Sequence, residues 1–388
     1  MKIAFVHDYL VQYGGAERVL EAFAEIWLQA PIYTLIYNQE AVHHRFDNKD
    51  VRTSFLQKIP FTKKYHRIFP PLMMLAVEQF NLDYYDVVLS DSSSFAKNII
   101  VGPDTLHISY CHTPMRYGWD DCQYYTQEYN FPKAVKSVSP FLMNYIRMWD
   151  WQATNGVDKF IANSEFVRGR IKKYYNRESL VINPPVDIDR FFVSNKRELG
   201  DYFLLVGRMM KYKKMDLVIR AFNKMRLPLK VVGRGVEFGN LQKIAGPTID
   251  FQGRVSDEEL AKIYSKAQAF IFPQEEDFGI VAIEALASGR PVIAYRAGDV
   301  EEHIEDGKTG IFFDNQTEAE IIKAVDKFQK MNFDAEYIRE QALRFDKKRF
   351  KAEIKKTVEE MANRKLKTKQ NDFIKRSVRE IKNNEYGI

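Results

Sequence analysis

Short apolar runs alternate with longer amphipathic segments along most of the chain. Each run has the length of a buried strand and is followed by enough residues for a helix. The predicted strands are 3–6, 32–36, 87–89, 107–110 and 160–162, then 202–206, 229–232, 270–272, 292–294 and 310–313. This alternation is typical of parallel sheets connected by crossover helices. It predicts an α/β protein with two successive sheets, joined by a Pro-rich connection that begins at Asn183.

Composition excludes several broad classes. The 388 residues are 45% hydrophobic and 28% charged, with a net charge of +6, which is ordinary for a globular chain and does not indicate a nucleic-acid-binding protein. Cys111 and Cys122 cannot form a disulfide framework, so we expect a cytoplasmic protein. The start of the chain lacks a signal-peptide pattern, and the longest uncharged apolar stretch, 68–77, is too short to span a bilayer.

The end of the chain differs from the rest. Residues 364–382 hold eight basic and two acidic side chains. Ile374, Val378 and Ile381 follow helical spacing and form one apolar stripe. Two interpretations remain open: a helix that packs on the protein body with a solvated basic face, or a helix that lies on an anionic membrane surface.

Two groups of residues in the first half could carry chemistry. Gly14 and Gly15 follow the first strand and begin a helix, where glycine permits positive φ and close backbone approach to a phosphate. His112 follows another strand and precedes Pro114, a position from which an imidazole could donate a hydrogen bond or act as acid or base. Either feature alone is also common in purely structural roles.

Two further groups lie in the second half. Arg208 and Lys213 occupy the loop after the strand 202–206, and an Arg fork with a Lys point charge suits a diphosphate. Glu276 precedes a predicted helix that begins around Phe278, Gly279 and Ile280 and contains Glu284. The helix N-terminus would face an anion, whereas carboxylates would accept hydrogen bonds from sugar hydroxyls. The acidic run could also be an ordinary solvated helix start.

Taken together, these motifs resemble those of retaining glycosyltransferases of family 4, a group 1 family with the GT-B fold. The resemblance extends over nearly the whole chain and is most specific from Glu276 to Glu284 with the following Glu-Ala-x-Ala-x-Gly-x-Pro-Val-Ile-Ala. The fold it implies has two Rossmann-like domains facing across a cleft, with C-terminal helices crossing back to the first domain. The expected limits are 1–190 for the acceptor domain, 191–350 for the nucleotide-sugar domain and 351–388 for the last helices and basic tail.

The resemblance also implies residue roles. His112 would lie against the donor sugar, which Glu276 would also contact. The donor diphosphate would be held by Arg208 and Lys213, and the ribose by Glu284. Backbone amides of Phe278, Gly279 and Ile280 would lie nearby, Arg254 and Val255 would flank the base, and Gly14 and Gly15 would approach the reacting phosphate and the acceptor. No metal or other cofactor is expected, because the fixed positive charges would stabilise the leaving diphosphate.

The subgroup that the chain resembles most is that of bacterial GDP-mannose-dependent mannosyltransferases of surface-polysaccharide, O-antigen or glycolipid assembly. The Gly-Gly-Ala-Glu-Arg start and the segment around His112 carry this likeness. One departure concerns Asp299, Glu301 and Glu302, where the family often has Gly-Gly-x-Pro-Glu. We expect this change to add negative charge close to the donor phosphates.

The acceptor is predicted to be a polyprenyl-diphosphate-linked or free saccharide. The segment from Phe55 to Phe69 interleaves basic and aromatic side chains. This segment and the basic tail could each contact the inner face of the cytoplasmic membrane. An ordinary helical edge is the alternative. Rival functions are a UDP-sugar-dependent transferase, an epimerase or phosphorylase of the same fold, a non-catalytic nucleotide-sugar scaffold, and a dinucleotide oxidoreductase, which the missing first-strand Gly-x-Gly-x-x-Gly disfavours.

Overall fold

The computed structural model describes residues 1–60, 62–65, 70–120 and 133–385, with side chains except at 64, 65, 133–139, 196 and 369–385. These residues form two compact units. The first contains residues 1–163, 167–182 and 351–388, and the second contains 164–166 and 183–350. The domain limits expected from the sequence, 1–190, 191–350 and 351–388, stay a prediction.

The first unit is built on a parallel sheet in the order β3-β2-β1-β4-β5-β6-β7. Its central strands β1, β4 and β5 are buried along their whole length, as is typical of a parallel sheet with helices on both faces. The strands are β1 Ile3–His7, β2 Ile32–Thr34, β3 Val51–Thr53, β4 Val87–Ser92, β5 Leu106–Cys111, β6 Lys159–Ala162 and β7 Ser179–Val181. The helices are α1 Gly15–Ile26, α2 Thr62–Tyr65, α3 Pro70–Glu78, α4 Lys133–Ala153 and α5 Glu165–Tyr175.

The second unit has a parallel sheet in the order β10-β9-β8-β11-β12-β13. Its strands are β8 Phe203–Val206, β9 Leu229–Val232, β10 Ile249–Gly253, β11 Phe270–Phe272, β12 Val292–Tyr295 and β13 Gly310–Phe313. Its helices are α6 Met215–Met225, α7 Phe238–Ile244, α8 Asp257–Lys266, α9 Ile280–Ala287, α10 Val300–His303, α11 Glu318–Phe328 and α12 Ala335–Ala342. The predicted α/β class with two Rossmann-like sheets is confirmed.

A final long helix, α13 Lys347–Glu385, belongs from residue 351 onward to the first unit. Its buried side chains Ile354, Val358 and Ala362 contribute to the apolar interior of that unit. Lys365 on the same helix donates to the carbonyl oxygen of Thr105 at 2.7 Å. The start of the basic segment therefore packs on the protein body, while the side chains of Ile374, Val378 and Ile381 lie outside the described residues.

Each sheet contains a point where the strand order reverses, between β1 and β4 in the first and between β8 and β11 in the second. Loops leave the carboxyl ends of these neighbouring strands in opposite directions and open a crevice, which is where open α/β sheets bind ligands.

In the described part of the chain, no helix combines the length and the apolarity needed to cross a membrane.

Candidate functional site

In the second unit, the predicted phosphate-binding residues meet the predicted sugar-binding carboxylate at the strand-order reversal. Lys213 follows β8 and forms an ion pair with Glu276, which follows β11. Burial would lower the pKa of Lys213, but the Glu276 carboxylate outweighs that effect and raises it, so the ammonium stays charged. Arg208 lies on the same loop with an exposed side chain. The sequence therefore places two cations and one carboxylate together at the crevice.

The main chain of Glu276 is held by the loop after β12. Its carbonyl oxygen accepts from the backbone N–H of Asp299 at 3.2 Å, and Glu276 forms a parallel backbone bridge with Gly298. Gly298 has φ +75°, and a Cβ there would lie 2.5 Å from the Glu276 carbonyl oxygen. Only glycine fits this position, and the contact fixes where the Glu276 side chain starts.

Helix α9 begins where the sequence predicts, after a left-handed Gly279 with φ +67°. Phe278 is buried against the ring of His303, whereas Ile280 is half-buried in the first turn. Glu284 is 2% exposed, and its Oε2 lies 3.2 Å from the hydroxyl of Tyr264. Tyr264 is a neighbour that the sequence did not indicate, and it orients the carboxylate predicted to bind a ribose.

The loops after β8, β9 and β10 approach one another closely. A Cβ on Gly233 would lie 2.1 Å from the carbonyl oxygen of Gly207, so the backbones touch. Beyond these glycines, Arg254 is exposed and Val255 packs partly against the core. This arrangement leaves Arg254 and Val255 at the same carboxyl edge as Lys213. Their role at the nucleotide base stays a prediction.

The expected negative charge around Asp299 is wrong for Asp299 itself. The side chain is fully buried and bonded to Nε2 of His303. Burial, with the nearby Asp277 carboxylate, raises the pKa of Asp299 to about 9, and burial lowers the pKa of His303 to about 3. At neutral pH Asp299 keeps its proton and the His303 ring is neutral, so the pair has no net charge, a result of burial that sequence spacing cannot show.

This pair predicts a pH effect that Asp299→Asn removes. The folded-state pKa of Asp299 is raised, so the stability it contributes is lost as pH rises from the reference value of 3.8 through about 9. We compare the free energy of unfolding of the wild type with that of Asp299→Asn. We expect the difference, wild type minus variant, to fall with pH in that window, with the slope that one bound proton produces. Urea unfolding of both proteins at about pH 6, 7 and 8 measures this difference. A difference independent of pH would contradict the assignment.

In the first unit, His112 is part of a buried chain of ionisable side chains. Its Nε2 lies 2.5 Å from Oδ1 of Asp91 on β4, and Oδ2 of Asp91 lies 2.8 Å from Nδ1 of His7 on β1. Nε2 of His7 in turn lies 3.8 Å from Oε1 of Glu17 on α1. His7, Glu17 and Asp91 are each at most 3% exposed. None of these three partners was singled out from the sequence.

The two middle groups of this series of side chains, His7 and Asp91, carry opposite charges. Burial would lower the pKa of His7, but Asp91 and Glu17 outweigh it and raise the pKa to about 10. Burial would raise the pKa of Asp91, but His112 and His7 outweigh it and hold the pKa below its usual range. At neutral pH, therefore, an imidazolium at His7 lies between two carboxylates, and the Asp91 carboxylate faces His112.

The predicted glycine turn begins α1, but its geometry differs from the expectation. Gly14 has φ −150°, and neither Gly14 nor Gly15 adopts positive φ. The carboxylate of Glu17 accepts from the Gly14 N–H at 2.8 Å, which holds the turn in an extended conformation instead. The positive φ that glycine permits is therefore not used here, whereas a helix N-terminus at Gly15 is present.

The other predicted surfaces are described only in part. Within 55–69, Leu56 is buried and Lys58 and Lys63 are exposed, while Phe61 and the side chains of 64–69 lie outside the described residues, as does Cys122. Among the side chains that the structure describes, no group of three or more His, Cys, Asp or Glu is arranged to hold a metal ion.

Comparison with known proteins extends over both units. Residues 187–345 match the model described as Glycosyl transferases group 1, and residues 13–190 match Glycosyltransferase Family 4. Each half of the chain thus matches a glycosyltransferase domain, and the matched residues include the Arg208 loop, the Lys213–Glu276 pair and His112.

Curated relatives of these domains are glycosyltransferases by name. D-inositol 3-phosphate glycosyltransferase of Corynebacterium kroppenstedtii is 30% identical over 207 residues, 45% of this chain and 46% of that protein. A GDP-mannose-dependent phosphatidylinositol monomannoside mannosyltransferase of Mycolicibacterium smegmatis is 29% identical over 201 residues, 44% of this chain and 53% of that protein. The chain thus aligns with about half the length of these relatives.

Solved structures match over nearly the full chain. Anabaena Alr3699/HepE in complex with UDP and glucose has a TM-score of 0.67 and 17% identity, covering 92% of this chain and 99% of that one. Sucrose-phosphate synthase from Thermosynechococcus elongatus has a TM-score of 0.68 and 15% identity, covering 93% and 99%. These likenesses agree with the GT-B fold expected for family 4.

Proposed function

We propose that the protein transfers a hexosyl group from a nucleoside-diphosphate sugar to a saccharide or lipid-linked acceptor, with retention of anomeric configuration. The observation that carries the proposal is the Lys213–Glu276 pair at the strand-order reversal, with Arg208 on the same loop. A half-buried ammonium that already faces a carboxylate is suited to a donor with an anionic diphosphate and a neutral, hydroxyl-bearing sugar.

Each residue then has a role in the donor complex. Arg208 and Lys213 hold the diphosphate, Glu284 accepts from the ribose hydroxyls, and Glu276 accepts from the sugar. Backbone amides and flanking side chains complete the site: Phe278, Gly279 and Ile280 at the helix start, and Arg254 and Val255 at the base. In the first unit, His112 contacts the sugar, and Gly14 and Gly15 approach the reacting phosphate and the acceptor.

The reaction follows from these roles. The bond between the anomeric carbon and the phosphate oxygen breaks as the acceptor oxygen attacks from the same face. The acceptor's hydroxyl proton passes to the leaving phosphate oxygen. Negative charge grows on the diphosphate, where the fixed cations Arg208 and Lys213 stabilise it without reorganisation. In this proposal, no metal is needed for the step.

The proposed donor is GDP-mannose. The Gly-Gly-Ala-Glu-Arg start supports it, as does the similarity to the GDP-mannose-dependent enzyme of Mycolicibacterium smegmatis. A UDP-sugar is the alternative, favoured by the structural likeness to HepE bound to UDP. The nucleotide base separates these two donors.

Thermal unfolding with GDP, UDP or NAD, with chelator present, tests the donor. A ligand at 100 times its Kd stabilises the native state by about 2.7 kcal/mol, so we expect a higher Tm with GDP. A shift with UDP alone would keep the family but overturn the mannosyl donor. A shift with NAD alone, or turnover of the sugar nucleotide without acceptor to an epimer or sugar phosphate, would overturn the transferase. Binding without turnover by any acceptor would indicate a scaffold.

We also propose that the first unit contacts the inner face of the cytoplasmic membrane. Helix α4 presents Phe141, Tyr145, Met148 and Trp151 to solvent at helical spacing, each about half or more exposed. Aromatic side chains on an exposed helix face are typical of membrane-interface segments.

Co-sedimentation with anionic phospholipid vesicles at low salt tests whether this helix face binds a membrane. We expect the double variant Phe141→Ser with Tyr145→Ser to lower the bound fraction. Unchanged binding of this variant would contradict the surface.

A further inference from the structure

The side chains of Glu17, His7, Asp91 and His112 form one continuous series of contacts, here called the Glu17–His112 chain. It begins at the amide of Gly14, which Glu17 accepts at 2.8 Å, and ends at the imidazole of His112. It lies across β1 and β4, the strands at the order reversal of the first sheet. His7 and Asp91 on these strands and Glu17 on α1 are all buried, and the burial of such ionisable groups is costly unless they are paired.

We propose that Asp91 is a positioning residue, which with His7 and Glu17 behind it fixes the ring orientation and tautomer of His112. This inference rests on the proposed function, in which His112 contacts the transferred sugar. His7 and Glu17 hold Asp91 in turn, so the same chain ties His112 to the Gly14 turn.

The geometry determines which nitrogen of His112 holds the proton. Oδ1 of Asp91 is an acceptor 2.5 Å from Nε2, so Nε2 donates. In the neutral ring, Nδ1 then has a lone pair and can only accept. His112 therefore accepts a hydrogen bond from a sugar or acceptor hydroxyl through Nδ1, rather than donating one.

The other contacts of Asp91 support a positioning role. Its second oxygen is 2.8 Å from Nδ1 of the His7 imidazolium, which leaves Asp91 little freedom to rotate. His112 is also fixed by its backbone, because its N–H donates to the carbonyl oxygen of Ser92 at 2.9 Å. Its side chain remains 12% exposed, which is enough for one face to meet a ligand.

The first test is the tautomer of His112 in the wild-type protein. Histidine labelled with ¹⁵N gives separate ring-nitrogen signals for the two neutral tautomers, and His112→Gln assigns the signal. We expect His112 to be protonated at Nε2 and, in Asp91→Asn, to lose this preference because the new amide can donate to Nε2. An Nδ1-protonated ring in the wild type would overturn the proposal, even if Asp91→Asn did not fold.

The second test is kinetic. We expect Asp91→Asn to lower kcat about 10- to 100-fold, as is typical when a partner that orients an imidazole is removed, with the Kd for the nucleoside diphosphate unchanged. Ser90→Ala is the matched control, because Ser90 precedes Asp91 on β4 and its hydroxyl forms a 2.9 Å hydrogen bond to the buried His107 on β5. We expect it to keep the wild-type kcat.

The outcomes separate the two proposals. Full activity of His112→Gln would overturn the role of His112 and the positioning role with it. Loss of activity in His112→Gln with a wild-type kcat in Asp91→Asn would overturn only the positioning role. An equal fall of kcat in Ser90→Ala and Asp91→Asn would also overturn it, since any disturbance of these strands would then suffice.

Discussion

Lys213→Met is expected to lower kcat about 10²- to 10³-fold, the usual effect of removing one group that stabilises transition-state charge. Lys213 is half-buried and forms an ion pair with Glu276, which fixes its ammonium at the crevice. Its loss also leaves the Glu276 carboxylate facing the incoming diphosphate. We therefore expect the Kd for the nucleoside diphosphate to rise as well. Initial rates and calorimetric titration measure these two quantities.

Lys211→Met is the control for Lys213, because Lys211 is an exposed lysine of the same turn. Its kcat should stay close to that of the wild type. The double variant Lys213→Met with Glu276→Gln removes the uncompensated carboxylate and shows whether the loss reflects misfolding. We expect it to regain thermal stability but not activity. A kcat of Lys213→Met within threefold of the wild type would refute the phosphate assignment.

Lys97→Met is expected to destabilise the first unit by about 3–5 kcal/mol, because it leaves a buried charge without its partner. Lys97 and Asp150 are both fully buried, with Nζ and Oδ1 2.6 Å apart. Asp150 also accepts from Nε1 of Trp119 at 2.9 Å and from the hydroxyl of Tyr175 at 2.8 Å. The ammonium thus completes a network that joins the turn after β4 to α4 and α5. Urea unfolding measures the loss.

Lys172→Met provides the comparison for Lys97. Lys172 pairs with Glu178 at 2.5 Å in the same unit, but both side chains are more than half exposed. Exposed pairs contribute about 0–1 kcal/mol, so we expect almost no change. Adding Asp150→Asn to Lys97→Met should restore part of the stability. A loss below about 1 kcal/mol for Lys97→Met would show that Asp150 is compensated without the lysine.

The sequence predicts the central strands well and the edge strands poorly. All ten predicted strands are present, but β3, β7 and β10 are missing from the prediction, and each lies at a sheet edge. Edge strands are covered less completely: none of the three residues of β3 or of β7 is buried. Without continuous apolar runs they resemble loops, and their pairing depends on neighbours far away in sequence.

In the candidate site, too, the residues that follow buried strands could be predicted, and the contacts that depend on strand pairing could not. Arg208, Lys213 and Glu276 come directly after buried strands, so their motifs could be placed on one edge from the sequence alone. The Asp91–His112 and His7–Asp91 contacts could not, because they depend on which strands are adjacent. A usable signal exists in retrospect: His7 and Asp91 are ionisable residues near the ends of buried strands that begin with apolar residues. The neutral state of Asp299 depends on burial, which no motif reports.

The discontinuity of the first unit affects how the protein can fold during synthesis. Residues 1–182 leave the ribosome well before residues 351–385, and the intervening second unit takes roughly 10–30 s to translate. Throughout that interval the apolar surface that later contacts Ile354, Val358 and Ala362 lacks its covering helix. The nascent first unit is therefore a natural client for chaperones, and a chain that stops before residue 351 would expose the same surface permanently.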